Sequence, residues 1–245
     1  MPLSANSGSS DRSAETRARI LDAALSEFST HGLAGARTER IATAAGVNKA
    51  LLYYYFASKE KIYQAAFEMI AERVRDSSMA VFRRDASAGE RVLRAALNHF
   101  DRILSQQEFQ SLMQQEMIRV HKGEAGIMSI LAKKVFEPTL KMYRTTVSEG
   151  IASGELIDVD WMQMQLATLG ANVFYFLSAP VWRMILDEEP LTRQALEARR
   201  KMLLEFLGQA LFQDRQHGTE LAARVFADTP MPELKGDRLN MGRKL

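Results

Sequence analysis

The 245-residue chain has no cysteine, little net charge and only one long uncharged stretch. Without cysteine it forms no disulfide and offers no thiolate ligand, which suits a reducing cytoplasm. A formal charge of +2 is too small for a protein that only coats nucleic acid. The uncharged stretch, 161–182, contains Gln163, Asn172 and Pro180, and polar groups of this kind are costly in hydrocarbon. We therefore expect a cytoplasmic protein with no membrane partner.

The sequence also lacks the signatures of catalysis and metal binding. It has no Gly-rich phosphate loop and neither an HExxH nor a GxSxG motif. The histidines His31, His99, His121 and His217 do not have the spacing of a metal pair. We expect no catalytic residue, no metal and no cofactor, and hence a protein that is not an enzyme.

Alternation of apolar and polar residues, the mark of a strand, is absent over any useful length, whereas helical spacing is frequent. A first helix is predicted from about Arg17 to His31, with Gly32 just past its end. Its inner face is expected to contain Ile20, Leu21, Ala24, Leu25 and Phe28. Because 47% of the residues are hydrophobic, a sizeable all-α core is available.

Residues 38–59 have the order and spacing of a helix-turn-helix, which places one helix in the major groove of DNA. Thr38 is expected to cap the first short helix, and Gly46 to occupy the corner that favours positive φ. The second helix, from about Asn48 to Tyr55, then has two faces. The expected inward residues are Leu52 and Phe56, and the expected outward residues are Lys49, Ala50, Tyr53 and Tyr54.

This segment resembles the DNA-binding head of the tetracycline-repressor (TetR) family over about residues 13–70. The matching stretches are Ala42–Val47 for the turn, 52–56 for the Leu-Tyr-x-x-Phe pattern, and 58–60 for Ser-Lys-Glu. Asn48, Ala50, Leu51 and Tyr55 depart from the residues common in the family, which alters the bases read more than the reading of DNA itself. The motif and the resemblance together predict that the DNA-binding residues are Thr38, Asn48, Lys49, Ala50, Leu51, Tyr53, Tyr54, Tyr55 and Lys59.

The expected organisation is an N-terminal three-helix head joined by a shared helix to a larger bundle that dimerises. We predict a flexible, Ser-rich tail at 1–12 with no signal sequence, a DNA-binding domain at 13–58, a ligand-binding and dimerisation domain at 59–215, and a C-terminal extension at 216–245. Helices at about 161–178 and 193–213 are the expected dimer interface. The apolar residues expected in this interface include Leu166, Val173, Leu177, Met202 and Phe206.

Methionine and polar residues among apolar neighbours in the bundle indicate a ligand pocket, although most of the methionines equally suit simple core filling. The candidate ligand-binding residues are His99, Met113, Gln114, Met117, Tyr143, Asn172 and Tyr175. That a ligand binds here at all is implied by the resemblance.

The resemblance implies a homodimeric transcriptional repressor that a small apolar or aromatic molecule releases from a palindromic operator in double-stranded DNA. Between Thr30 and Ala65 five Lys and Arg residues stand against two Glu residues, which fits a small footprint on phosphates. The alternative is a helical scaffold or adaptor that binds protein partners without sequence-specific DNA binding.

Overall fold

The computed structural model describes residues 7–124, 126–186 and 189–233. Within these ranges the chain is all-α, as predicted, and its only β feature is an isolated bridge between Leu156 and Phe212. The helices are α1 (Ser7–Gly35), α2 (Thr38–Ala44), α3 (Lys49–Tyr55), α4 (Lys59–Phe82), α5 (Ala88–Ser105), α6 (Gln107–His121), α7 (Met128–Leu131), α8 (Glu137–Ala152), α9 (Trp161–Leu186), α10 (Arg193–Leu211) and α11 (Arg215–Ala227).

The chain divides into two compact units, and the division passes through α4. The head unit comprises Met1–Arg73 and Glu108–Val135, and the bundle unit comprises Val74–Gln107 and Phe136–Leu245. The domain boundaries predicted from the sequence stay predictions. Residues 1–6, which are half of the predicted N-terminal tail, and residues 234–245, the end of the C-terminal extension, lie outside the described residues. The other half of the predicted tail, 7–12, belongs to α1.

The head unit is built on the apolar face predicted for the first helix. All five residues predicted for that face are buried. Gly32 has a φ of 66° and interrupts the helical geometry of α1, which agrees with a predicted helix end at this position. In addition to α1, α2, α3 and the first part of α4, α6 also packs in this unit. Ser111 Oγ and Gln115 Nε2 of α6 donate to the Ser29 carbonyl at 2.6 and 3.1 Å.

The core of the bundle unit is formed mainly by α5, α8, α9, α10 and α11. The contact between α10 and α11 depends on two glycines. A Cβ on Gly208 would lie 2.5 Å from the Gly218 carbonyl oxygen, so the two backbones approach closely only because neither residue has a side chain. Arg200 is buried here and pairs with Asp101 in a bidentate contact at 2.7 and 2.9 Å.

Two prolines have different effects on their helices. Pro138 lies in the first turn of α8, after a π-helical turn at Ala132–Phe136, where a proline is tolerated because its missing N–H would have no partner within the helix. Pro180 lies inside α9, which continues to Leu186, and the predicted helix end near residue 178 is wrong. A proline removes only one backbone donor, and the Ser178 hydroxyl links the turns on either side through Phe174 O and Trp182 Nε1. Among the described residues, α9 is the one helix long and apolar enough to span a membrane.

Candidate DNA-binding and effector sites

The turn between α2 and α3 is closed by backbone hydrogen bonds around Gly46. The N–H groups of Gly46 and Val47 donate to the carbonyls of Thr43 and Ala42 at 3.1 and 3.0 Å. Gly46 has a φ of 65°, as predicted for the corner of the motif. Residues with a side chain rarely adopt this conformation, so the glycine fixes the angle at which α3 leaves α2.

The helix caps differ from the sequence prediction in one respect. Thr38 does not cap α2; it is the first residue of the helix, and the cap position belongs to Arg37, which makes no side-chain cap bond. Thr38 is only 6% exposed, and its Oγ1 accepts a hydrogen bond from the Tyr53 hydroxyl at 3.3 Å. The side chain that does cap a helix is Asn48, whose Oδ1 accepts from the Leu51 N–H at 2.7 Å and starts α3.

The two faces of α3 are as predicted. Leu52 and Phe56 are buried, and Arg17 packs its guanidinium over the Phe56 ring. The exposed residues of α3 are Lys49, Ala50, Leu51, Tyr53 and Tyr54, with Tyr54 the most open at 82%. Tyr55 is half-buried: its hydroxyl donates to Ser13 Oγ at 3.2 Å, and its ring meets Tyr54 edge to face. One exposed surface therefore carries an amine, two phenols and a leucine.

The charges near this surface are partly neutralised in the absence of DNA. Lys49 Nζ donates to Glu39 Oε1 at 2.5 Å, and this hydrogen bond raises the pKa of Lys49 and lowers the pKa of Glu39. Lys59 Nζ donates to the Ala34 carbonyl at 3.1 Å. Both amines are therefore held in place, and Lys49 exchanges Glu39 for a new acceptor if it contacts DNA.

The bundle unit contains a small cavity between α4, α5, α8 and α9, with a volume of about 40 Å³. Its lining mixes apolar side chains with several hydrogen-bonding groups and contains no carboxylate. The lining residues are Ser78, Phe82, Val92, Ala95, Ala96, Asn98, His99, Arg102, Thr139, Tyr143, Gln165, Thr168 and Leu169. A few polar groups set in apolar walls are the usual composition of a small-molecule site.

The protonation of two cavity residues follows from their surroundings. Burial, with a smaller contribution from nearby Arg102, lowers the pKa of His99 to about 3, so the imidazole is neutral at physiological pH. Its Nδ1 lies 3.2 Å from the amide nitrogen of Asn172, which can only donate, so the proton of the ring is assigned to Nε2. Burial also raises the pKa of Tyr143, which keeps its hydroxyl protonated.

The structure brings together part of the predicted ligand set. His99 and Tyr143 line the cavity, and Asn172 contacts His99 while donating to the Ala96 carbonyl at 3.0 Å. Tyr175 does not line it: its hydroxyl donates to the Pro190 carbonyl and its ring packs on Phe100 and Phe176. The other three predicted residues, Met113, Gln114 and Met117, belong to α6 of the head unit and are absent from the cavity lining.

Arg102 is the main cavity residue that the sequence prediction missed. It follows His99 by three residues on α5, and Ala95 precedes His99 by four, so the three residues share one helical face. The feature of the sequence that indicates Arg102 is its place on the same face of α5 as the candidate ligand residue His99. An arginine in the last turn of a helix is ordinarily solvent-exposed, so this register alone does not predict a cavity residue.

An apolar surface of α9 and α10 remains uncovered in the single chain. We call it the α9–α10 surface; its exposed residues are Leu166, Val173, Phe174, Leu177, Met202 and Phe206. A groove of about 530 Å³ lies between the two helices and is lined largely by apolar side chains, including Met164, Ala167 and Leu207. Leu166, Val173, Leu177, Met202 and Phe206, which were predicted for the dimer interface, are exposed here, whereas Trp161 and Leu169, predicted for the same interface, are half-buried. The dimer interface itself stays a prediction.

Sequence comparison covers both parts of the chain. Residues 20–66 match the family profile described as "Bacterial regulatory proteins, tetR family", and residues 89–207 match "Tetracyclin repressor-like, C-terminal domain". The transcriptional repressor NicS of Pseudomonas putida is 31% identical over 140 residues, which cover 57% of this chain and 65% of NicS. The regulator RutR of Escherichia coli K12 is 51% identical over 53 residues, 22% of this chain and 25% of RutR. The chain thus matches less than two thirds of the length of these relatives.

Solved structures share the fold over most of the chain. A gamma-butyrolactone receptor described as ArpA-like superimposes with a TM-score of 0.60 at 20% identity, covering 89% of this chain and 100% of the receptor. A putative regulator from Saccharomonospora viridis, solved in complex with choline, gives a TM-score of 0.64 at 18% identity, covering 82% of this chain and all of that one. Together with the two family profiles, these findings show that the chain belongs to the TetR family of bacterial transcriptional regulators.

Proposed function

We propose that the protein is a ligand-responsive transcriptional repressor that binds a palindromic operator as a homodimer. The observation that carries this proposal is the exposed face of α3, where Lys49, Tyr53 and Tyr54 project from a helix anchored by buried Leu52 and Phe56. The amine and the phenols are suited to base edges and phosphate oxygens. Two relatives, NicS and SCO4008 of Streptomyces coelicolor, are named as repressors, which supports the direction of regulation.

The α9–α10 surface supports the homodimer. An exposed apolar patch of this kind is typically covered by another surface, and the proposed partner here is a second copy of the chain. In a two-fold dimer the same patch serves both partners, and two helices from each give a four-helix interface. The two recognition helices then read half-sites about one helical turn, ~34–36 Å, apart.

The effector acts through a population shift. A small molecule that prefers one shape of the bundle changes the proportion of dimers whose recognition helices fit the operator. The choline complex of the Saccharomonospora viridis protein supports a ligand site in this fold. The protein acts in the cytoplasm and has no catalytic role of its own.

Selection of bound duplexes from a random pool by the full chain tests this proposal. We expect the selected duplexes to be palindromic, with half-sites about one helical turn apart. Binding should weaken steeply between 50 and 200 mM salt, by roughly 10³-fold or more, because phosphate contacts release counterions. Tyr54→Ala should reduce affinity, whereas Ala223→Ser, an exposed change on α11, should not. Absent or salt-insensitive duplex binding would favour the scaffold or adaptor instead.

A further inference from the structure

One partly buried cation of the bundle unit, Arg102, contacts no carboxylate among the described residues. Arg102 lines the cavity, and its Nη1 donates to Ser78 Oγ and, at 3.1 Å, to Asn98 Oδ1, which are neutral acceptors. Its Nε is buried without a hydrogen-bond partner. Burial alone lowers the pKa of Arg102 to about 10, with no neighbouring carboxylate to oppose it.

The two fully buried arginines of this unit, Arg94 and Arg200, show the usual arrangement, whereas the partly buried Arg199 lies over the Tyr175 ring and donates to the Ala171 carbonyl. Arg200 contacts Asp101 through two hydrogen bonds, and Arg94 contacts Glu90 at 2.7 Å. A buried charge is ordinarily paired because its desolvation is costly. Arg102 departs from this rule at a cavity wall, where an external anion can complete the pair.

The other polar groups of the cavity are also suited to an anion. The His99 ring has its proton on Nε2, and burial keeps the Tyr143 hydroxyl protonated. Both groups can therefore donate to a ligand. Because no carboxylate lines the cavity, these donors and the guanidinium make it a positive site.

We propose that this cavity binds the carboxylate of a small monocarboxylic acid, with Arg102 as counter-ion and His99 and Tyr143 as additional donors. One guanidinium balances one negative charge, and its planar fork matches a carboxylate. A volume of about 40 Å³ holds such a group and little more, so the acid is compact, with its apolar part against Phe82, Val92 and Leu169. This inference rests on the proposed function, since it names the chemical class of the effector.

The test uses the full chain and measures its melting temperature with formate, acetate, propionate and butyrate, each beside its primary amide. We expect at least one carboxylate to raise the melting temperature while its amide does not, because only the acid supplies the missing charge. Inorganic phosphate should give no shift. An equal response to acid and amide, or no response to any acid, would overturn the inference.

Three variants locate the site. Arg102→Gln should weaken binding of the responding acid by roughly 10- to 100-fold, the usual worth of a charged hydrogen bond. Arg102→Lys should retain part of the binding. Arg83→Gln, which removes an exposed arginine outside the cavity, should leave binding unchanged. Unchanged binding in Arg102→Gln contradicts the assignment.

A further variant separates ligand binding from a structural role. Arg102→Met keeps most of the side-chain volume and removes the buried charge, so the ligand-free protein should melt at an equal or higher temperature. A large fall would show that Arg102 is needed for the fold and overturn its assignment to a ligand.

Duplex binding by the same proteins separates this inference from the proposed function. Arg102→Gln should bind the selected duplex like wild type but should not respond to the acid. If wild type binds the acid but no duplex, the proposed function fails and the carboxylate site stands. If wild type binds duplex but no acid, the inference alone fails.

Discussion

At the scale of single residues, the two lysines of the head unit are expected to contribute differently to DNA binding. Lys49 lies on the exposed face of α3 and is held by Glu39. Lys59 begins α4, where backbone N–H groups and positive charge favour an anion. We expect Lys49→Ala to reduce the preference for one base at a single operator position, by about 1–3 kcal/mol. We expect Lys59→Ala to lower the affinity for all duplexes equally and to reduce the salt dependence of binding by ~1 per subunit.

Affinity measured for several duplexes and salt concentrations separates the two effects. Glu39→Gln is the matched control, since it frees Lys49 without removing it and should leave base preference intact. An equal loss of affinity for every duplex in Lys49→Ala would mean that this amine contacts the DNA backbone rather than a base. An unchanged salt dependence in Lys59→Ala would mean that Lys59 does not contact a phosphate. Because Lys59 also donates to the Ala34 carbonyl, its variant should first be shown to melt like wild type.

The sequence predicts the positions of individual residues best where interactions within one helix or turn determine them. Helical spacing identified buried Leu52 and Phe56, and the need for positive φ identified Gly46. It failed for Thr38, since the hydroxyl meets Tyr53 from the next helix, a contact that spacing does not contain. It also missed Arg102, whose burial depends on α4 and α8 closing over α5.

At the scale of elements, the packing of α10 on α11 requires glycine at both crossing positions. In Gly208→Ala the new Cβ would meet backbone atoms of Gly218 at 2.5 and 2.9 Å, and backbone cannot rotate away as a side chain can. The clash should outweigh the gain in helix propensity and destabilise the fold by about 1–3 kcal/mol, or roughly 2–4 °C per kcal/mol in melting temperature.

A thermal melt of the two variants tests this packing. Ala223→Ser changes an exposed position on α11 and should stay within about 0.5 kcal/mol of wild type. An equal or higher melting temperature for Gly208→Ala would mean that the helices separate at little cost.

The extents of the elements were less predictable than their existence. The sequence alone does not tell whether Pro180 ends α9 or lies within it. In the structure the helix continues past Pro180, and hydrogen bonds of Ser178 to Phe174 and Trp182 link the turns on either side of the proline. The position of α6 was also not predictable, because its hydrogen bonds to Ser29 join segments about 80 residues apart in the sequence. Periodicity indicates that a helix has an apolar face but does not indicate which element covers it.

At the scale of the whole molecule, the α9–α10 surface is expected to be needed both for dimerisation and for tight DNA binding. Phe206 is 67% exposed on α10, beside the groove that α9 and α10 form. A charge placed there is tolerated in a monomer, where it faces water, but is costly in an interface, where it is buried unpaired. Phe206→Glu should therefore yield a folded monomer.

The loss of the dimer should also abolish tight operator binding. A monomer reads one half-site only, so it forfeits the second set of contacts and the gain from linking the two. Light scattering and duplex titration of the same sample measure both effects, with Ala223→Glu as the control that adds an equal charge outside the α9–α10 surface. A variant that stays dimeric would move the interface elsewhere, and a monomer with undiminished affinity would separate DNA binding from the two-fold symmetry proposed for it.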